Sequence, residues 1–211
     1  MFGSLIRNRE EAGRQLAEKL AQYENANAVV LAVPRGGVPV GYEIAKKLNL
    51  PLHLLLSKKI GHPLNPEYAI GSVTMDDVIL NGHEGVSPAY IEQEVRKIRE
   101  ALRKKITLYN GTREVVSPAG KTVIVVDDGI ATGKTLLVLI QMLRRLKPKR
   151  IVVAVPVMPE SVVDTIQTEV DELVYLHAPF FFRGVGMFYD DFKQVEDEEV
   201  ISLLHNINHV H

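Results

Sequence analysis

Two adjacent carboxylates, Asp127 and Asp128, close an apolar run and open a glycine-containing loop in the string from Val123 to Thr135, V-I-V-V-D-D-G-I-A-T-G-K-T. Ionised carboxylates only accept hydrogen bonds, which suits them to the two hydroxyls of a cis-diol or to a hydrated magnesium ion. Behind them Gly129, Ala131 and Gly133 keep side chains out of the way. Successive backbone N–H groups can then converge on an anion at the start of the next helix, with Thr132 and Thr135 adding hydroxyl donors. One loop therefore offers two chemistries, a diol or metal on its proximal half and a phosphate monoester on its distal half.

Counting excludes two other readings of the same letters. A nucleotide-triphosphatase loop is G-x-x-x-x-G-K-[ST], but the residue five before Gly133 is Asp128, and Gly129 lies one place too close. A phosphoacceptor receiver domain also carries an acidic pair after an apolar strand. That pair belongs to its first strand, whereas here more than half of the chain already lies before it. A loop that merely turns a strand into a helix would account for the glycines, but not for both carboxylates together with both threonines.

The elements that must position this loop have an α/β rhythm. Asn8 followed by Arg9, Glu10 and Glu11 reads as a helix start, with Ala12, Leu16, Leu20 and Tyr23 on one face. Ala28 to Val33 is a strand that ends at the tight turn Pro34-Arg35-Gly36-Gly37, after which Val40, Ile44 and Leu48 resume helical spacing. Leu52 to Leu56 forms a second strand, closed by Ser57, Lys58 and Lys59. A turn-rich stretch from Gly61 to Glu67 follows, then short extended candidates at Ile70 to Thr74 and Val78 to Leu80. Ser87-Pro88 starts a long amphipathic helix through Ile91, Val95, Ile98, Leu102 and Ile106. Its outer face of Arg96, Lys97, Arg99, Arg103, Lys104 and Lys105 reads as solvated. Beyond it come strand Val123 to Val126, helix Thr135 to Leu146, strand Ile151 to Val155, a helix near Ser161 to Thr168 and strand Leu173 to Leu176. Strands recurring with helices between them predict a twisted, mainly parallel sheet with helices on both faces. Ligands gather at the carboxyl ends of strands in such a sheet, where Asp127 and Asp128 fall.

The chain has 211 residues, 46% hydrophobic and 24% charged, enough for one substantial core. It contains no cysteine, which removes disulfides, thiolate catalysis and thiolate-bound metals. Twenty-five basic against 26 acidic residues are too balanced for wrapping nucleic acid or sitting on an anionic membrane. Met1 to Arg9 runs straight into charge without an apolar core of signal-peptide length, so the expected location is the cytoplasm. The expected organisation is a single domain over 1–211, with a mobile flap at about 58–86 and a C-terminal segment from about 178 to 211.

The string V-V-D-D-G-x-A-T-G-x-T closely resembles the signature of type I phosphoribosyltransferases, which bind 5-phosphoribosyl-1-pyrophosphate (PRPP). Three further segments carry the likeness over nearly the whole chain: Pro34-Arg35-Gly36-Gly37-Val38-Pro39, K-K-I-G-x-P-x-N-P-E-x-A-I-G from Lys58 to Gly71, and V-G-x-x-Y-x-D-F from Val185 to Phe192. The resemblance implies transfer of the phosphoribosyl group to a nitrogenous base with magnesium present. Asp127 and Asp128 would hold the ribose hydroxyls and, largely through water and PRPP, the metal. Gly129, Ala131, Thr132, Gly133, Lys134 and Thr135 would cradle the 5-phosphate. Arg35, Gly36 and Gly37 would bind pyrophosphate.

Lys58 and Lys59 are either a solvated strand end or a pyrophosphate contact, with Lys59 the candidate catalytic cation. The family's mobile loop would fall within Lys58 to Asn81, where Gly61, Pro63 and Pro66 break the chain. A purine-salvage pattern is matched by Phe182, Val185-Gly186 and Asp190, with the aromatic displaced by one place, so these four are the candidate base site. Phe180 to Phe182 otherwise read as core. The expected partners are PRPP and a small base, with a homodimer as the candidate assembly. A PRPP-sensing regulator with the same pocket is the alternative, and a small-sugar phosphohydrolase or kinase would need a general base positioned on the acceptor, for which no residue stands out. His205 and His209, one helical turn apart, read as surface histidines. Gly184-Val185-Gly186 lacks the third glycine of a dinucleotide fingerprint.

Overall fold

Continuous apolar, Val-rich runs become the three central strands of a parallel sheet, buried on both faces as that composition requires. The computed structural model describes residues 6–110 and 117–207. The chain divides into two compact units, Met1–Leu55 with Glu114–His211, and Leu56–Arg113.

In the first unit, β1 (Ala28–Ala32), β2 (Leu52–Leu54), β6 (Thr122–Val126), β7 (Arg150–Val157) and β8 (Glu172–His177) form a five-stranded sheet in the order β2-β1-β6-β7-β8. All four pairings are parallel. Every residue of β1 and β6 is buried. On one face Val29, Leu31, Val123, Val125, Val153 and Val155 pack against Leu136, Ile140 and Leu143 of α4 (Lys134–Arg145) and Ile166 of α5 (Glu160–Gln167). The other face is covered by α1 (Arg9–Lys19), which meets β7 and β8, and α2 (Gly37–Leu48), which meets β1, β2 and β6. The helix α6 (Asp197–Ile207) packs on α2. Asn8 caps α1, its Oδ1 accepting from Glu11 N–H at 2.9 Å. The first helix ends at Lys19, earlier than its apolar spacing suggests, and Leu20 and Tyr23 reach the core through a 3-10 turn.

The second unit is a three-stranded antiparallel meander, β3 (Lys58–His62), β4 (Asn65–Val73) and β5 (Val78–Leu80), with α3 (Pro88–Asn110) packed on β3 and β4. It has its own core of Ile60, Ile70, Val73, Val86, Ile98 and Leu102. Ser87 Oγ accepts from Tyr90 N–H at 3.3 Å at the start of α3. Arg96, Lys97, Arg103, Lys104 and Lys105 lie exposed on that helix, and Arg99 is half-buried.

The stretch from Gly61 to Glu67 is not the irregular turn its composition suggests. His62 pairs with Asn65, so only Pro63 and Leu64 turn and the flanking residues are strand. Pro66 is tolerated because it lies in the part of β4 that β5 does not reach, where only one edge is paired. No helix among the described residues is long and apolar enough to cross a membrane.

Candidate active site at the carboxyl ends of β1 and β6

The pairing of β1 with β6 sets the site. The two strands run in phase from Ala28 opposite Thr122 to Ala32 opposite Val126, and Val33 N–H extends the ladder to Val126 carbonyl oxygen at 2.8 Å. The turn after β1 and the acidic loop after β6 therefore emerge side by side, although about ninety residues separate them in sequence. The Pro34–Arg35 peptide is cis. Gly36 lies directly against Asp128, and a Cβ at position 36 would collide with Asp128 Oδ2. Any side chain there would evict the carboxylate, so the glycine is required by close approach.

Asp127 and Asp128 sit at the end of β6, both half-buried. Asp127 Oδ1 accepts from Asp128 N–H at 2.8 Å. Burial and the charge of Asp128 together push the Asp127 carboxyl well above the usual carboxylate range. The Asp128 carboxylate is held instead by Arg9, whose Nε and Nη2 both donate to Oδ2 at 2.8 Å. Neither Arg9 bond engages Asp128 Oδ1, and the Asp127 carboxyl lies beside the Asp128 side chain. The Tyr189 hydroxyl donates to the Asp128 backbone carbonyl at 2.8 Å. Burial and the Asp128 charge raise the Tyr189 phenol, so it remains the donor across ordinary pH.

The distal half of the loop leads into α4. Gly133 is its N-cap with φ +71, a left-handed conformation that glycine accepts without strain, and it offers no side-chain cap. The first N–H groups of this twelve-residue helix are left for another acceptor, with no acidic residue in the first turn to compete. Ala131, Thr132, Lys134 and Thr135 around them are exposed. This half of the loop can take an anion.

The remaining expected residues are distributed as follows. Arg35, beside Gly36, is partly exposed and pairs with Glu196 at 3.3 Å and Asp197 at 3.5 Å. Lys58 and Lys59 belong to the second unit, exposed on β3, where Lys59 Nζ pairs with the Glu67 carboxylate at 2.9 Å. Val185 packs onto the acidic loop, its methyl group 2.5 Å from where a Cβ on Gly129 would be. Gly186 lies against Phe192, and Asp190 is exposed. Phe182 stacks on Phe188 with ring centroids 5.6 Å apart.

Phe180 and Phe181 are not core, being 87% and 70% exposed. The chain leaves β8 at His177, and after Pro179, whose carbonyl binds Glu160 N–H, no described element covers the two rings. His205 is exposed on α6, and His209 lies outside the described residues. No group of three His, Cys, Asp or Glu side chains among the described residues is arranged to hold a metal.

Arg9 is the residue that sequence reasoning missed. One signal was available. Arg9 is the first residue of α1, where the helix dipole favours acids, as Glu10 and Glu11 illustrate. A buried arginine there implies an external carboxylate, but nothing in the sequence says which one.

A parallel sheet with an acidic pair and an uncapped helix start at its carboxyl edge defines a phosphoribosyltransferase-type α/β protein. Residues 5–189 match the family described as "Phosphoribosyl transferase domain", and the chain belongs to that family. It is 38% identical over 207 residues, 95% of its own length, to two Mycobacterium tuberculosis proteins provisionally named phosphoribosyl transferase, Rv0571c of strain H37Rv and MT0597 of strain CDC 1551. The chain spans about half the length of these curated relatives, 46% of each. The crystal structure of TT1426 from Thermus thermophilus is similar at 36% identity and TM-score 0.83, covering 96% of this chain and 98% of that one.

Proposed function

We propose that the protein transfers the 5-phosphoribosyl group of PRPP to a nitrogenous base and releases pyrophosphate. The observation that carries this reading is the composition of one loop, in which a carboxylate anchored by arginine through one oxygen, Asp128, is followed by the uncapped start of α4. A ribose 5-phosphate presents the matching pair of groups, a diol and a phosphate. In the transfer, the bond from the anomeric carbon to the pyrophosphate oxygen breaks with its electron pair, and a lone pair of the base nitrogen forms the new bond. The reaction asks for a clamped ribose, a neutralised leaving group and exclusion of water more than for a strong base.

In this reading Asp127 and Asp128 accept from the two ribose hydroxyls, and residues 129 to 135 hold the 5-phosphate. Arg35, Gly36 and Gly37 hold pyrophosphate. The donor set fits magnesium held largely through water and PRPP, since two hard carboxylates are present and no third ligating group joins them among the described residues. A cation beside Asp127 would also offset the burial and like charge that favour its protonated form. Magnesium supplies charge neutralisation on the departing pyrophosphate. Phe182, Val185, Gly186 and Asp190 take the base, with purines preferred.

The test is pyrophosphate release from PRPP and magnesium across a panel of purine and pyrimidine bases. Release with one or more purines supports the reading. Preference for a pyrimidine removes the purine assignment. Calorimetric binding of PRPP with no release for any base assigns the pocket to a PRPP-sensing regulator.

A further inference from the structure

Asp128 is fixed by residues from both ends of the chain. The Arg9 guanidinium sits over the Phe192 ring, 3.9 Å from its centroid, and donates through Nη1 to the Lys193 carbonyl at 2.7 Å. Its other two nitrogens converge on one Asp128 oxygen. All three guanidinium nitrogens are thus committed, and the residue is 9% exposed. A guanidinium held by a ring face, a carbonyl and a carboxylate has little freedom left, and the carboxylate it grips has correspondingly little. The geometry is also selective. Both bonds go to Oδ2, so Arg9 anchors Asp128 without engaging its Oδ1.

We propose that Arg9 is the positioning residue of the ribose site, holding Asp128 by Oδ2 so that Oδ1 is presented to a ribose hydroxyl, with Phe192 and the Lys193 carbonyl holding Arg9 in turn. The inference rests on the sugar-phosphate reading of the loop. It makes the C-terminal segment part of the ribose site, since that segment supplies the Arg9 supports, the Tyr189 hydroxyl on the Asp128 carbonyl and the Ile6–Tyr189 bridge that ties it beside α1. A lysine at position 9 would keep the charge but not the two converging bonds.

The test separates the diol from the phosphate. Binding of inorganic phosphate, ribose 5-phosphate and 2-deoxyribose 5-phosphate is measured by calorimetry on the whole protein, on Arg9→Gln, Arg9→Lys and Phe192→Leu. The unaltered protein is expected to favour ribose 5-phosphate over the deoxy sugar by about tenfold or more, as for a hydrogen bond to a charged group. Arg9→Gln should bring that ratio near one with inorganic phosphate affinity unchanged. Arg9→Lys and Phe192→Leu should give intermediate ratios.

A merely structural Arg9 would weaken all three ligands together or none, and either result overturns the inference. So does an undiminished ratio in Arg9→Gln. If that variant does not fold, an undiminished ratio in both Arg9→Lys and Phe192→Leu overturns it. No binding of any sugar phosphate by the unaltered protein defeats the functional reading itself, an outcome distinct from the others.

Discussion

The Arg35 guanidinium, next to the glycine that touches Asp128, stands 3.3 Å from the Glu196 carboxylate just before α6. An anion arriving at Arg35 therefore competes with a carboxylate already there. Both partners are partly exposed, so the competition is modest and weakens with salt. Glu196→Gln is expected to tighten pyrophosphate binding by about two- to fivefold at low ionic strength, an advantage that shrinks at high salt. Titration of pyrophosphate at two salt concentrations checks this, and equal affinities at low salt would count against a pyrophosphate role for Arg35.

The raised Asp127 carboxyl has a thermodynamic consequence. A carboxyl whose proton is held more tightly in the folded than in the unfolded chain stabilises the fold below its ordinary range, and that contribution is lost as pH rises through the folded value. Asp127→Asn keeps the oxygen that accepts from Asp128 N–H and removes the half-buried charge. The variant should melt higher than the unaltered protein by about 2 °C or more at pH 8, with a smaller gap at pH 5. Melting curves at both values test this, and a gap that grows on acidification would show the opposite linkage.

Replacing Asp127 and Asp128 together with alanine should weaken PRPP binding by at least ~2 kcal/mol, as expected for hydrogen bonds to charged groups. Calorimetry on the folded double variant decides it. Unchanged affinity would move the ribose elsewhere.

The β3–β4 hairpin ends in Leu64, which is 90% exposed, and carries exposed Lys58 and Lys59 at its base. If this segment responds to the ligand, tryptic cleavage within Lys58 to Asn81 is expected to slow several-fold when PRPP and magnesium are present. Identical digestion rates with and without them would show that the segment does not respond to the ligand.

Sequence alone determined what depends on near neighbours. Apolar runs marked β1, β6, β7 and β8 to within about two residues of their ends, and in β1, β6 and β7 burial on both faces demands the continuous apolar run. The acidic loop with the glycine opening α4 was legible for the same reason, since carboxylates, glycines and helix start lie within nine residues and each has a local requirement. Local signals misled where an edge could absorb them, as at Pro66, and where exposure is set by what does or does not cover a side chain, as at Phe180 and Phe181.

Only the tertiary structure decided which elements are neighbours. Placement of β6 beside β1 brought Gly36 against Asp128. The return of residues 189 to 197 alongside α1 placed Phe192 under Arg9 and Glu196 beside Arg35. Arg9 and Asp128 are 119 positions apart, and either charge could have found another partner in an unfolded chain. Their pairing follows from sheet order and helix packing, because a short-range interaction between polar groups can be specified only after the backbone has brought those groups together.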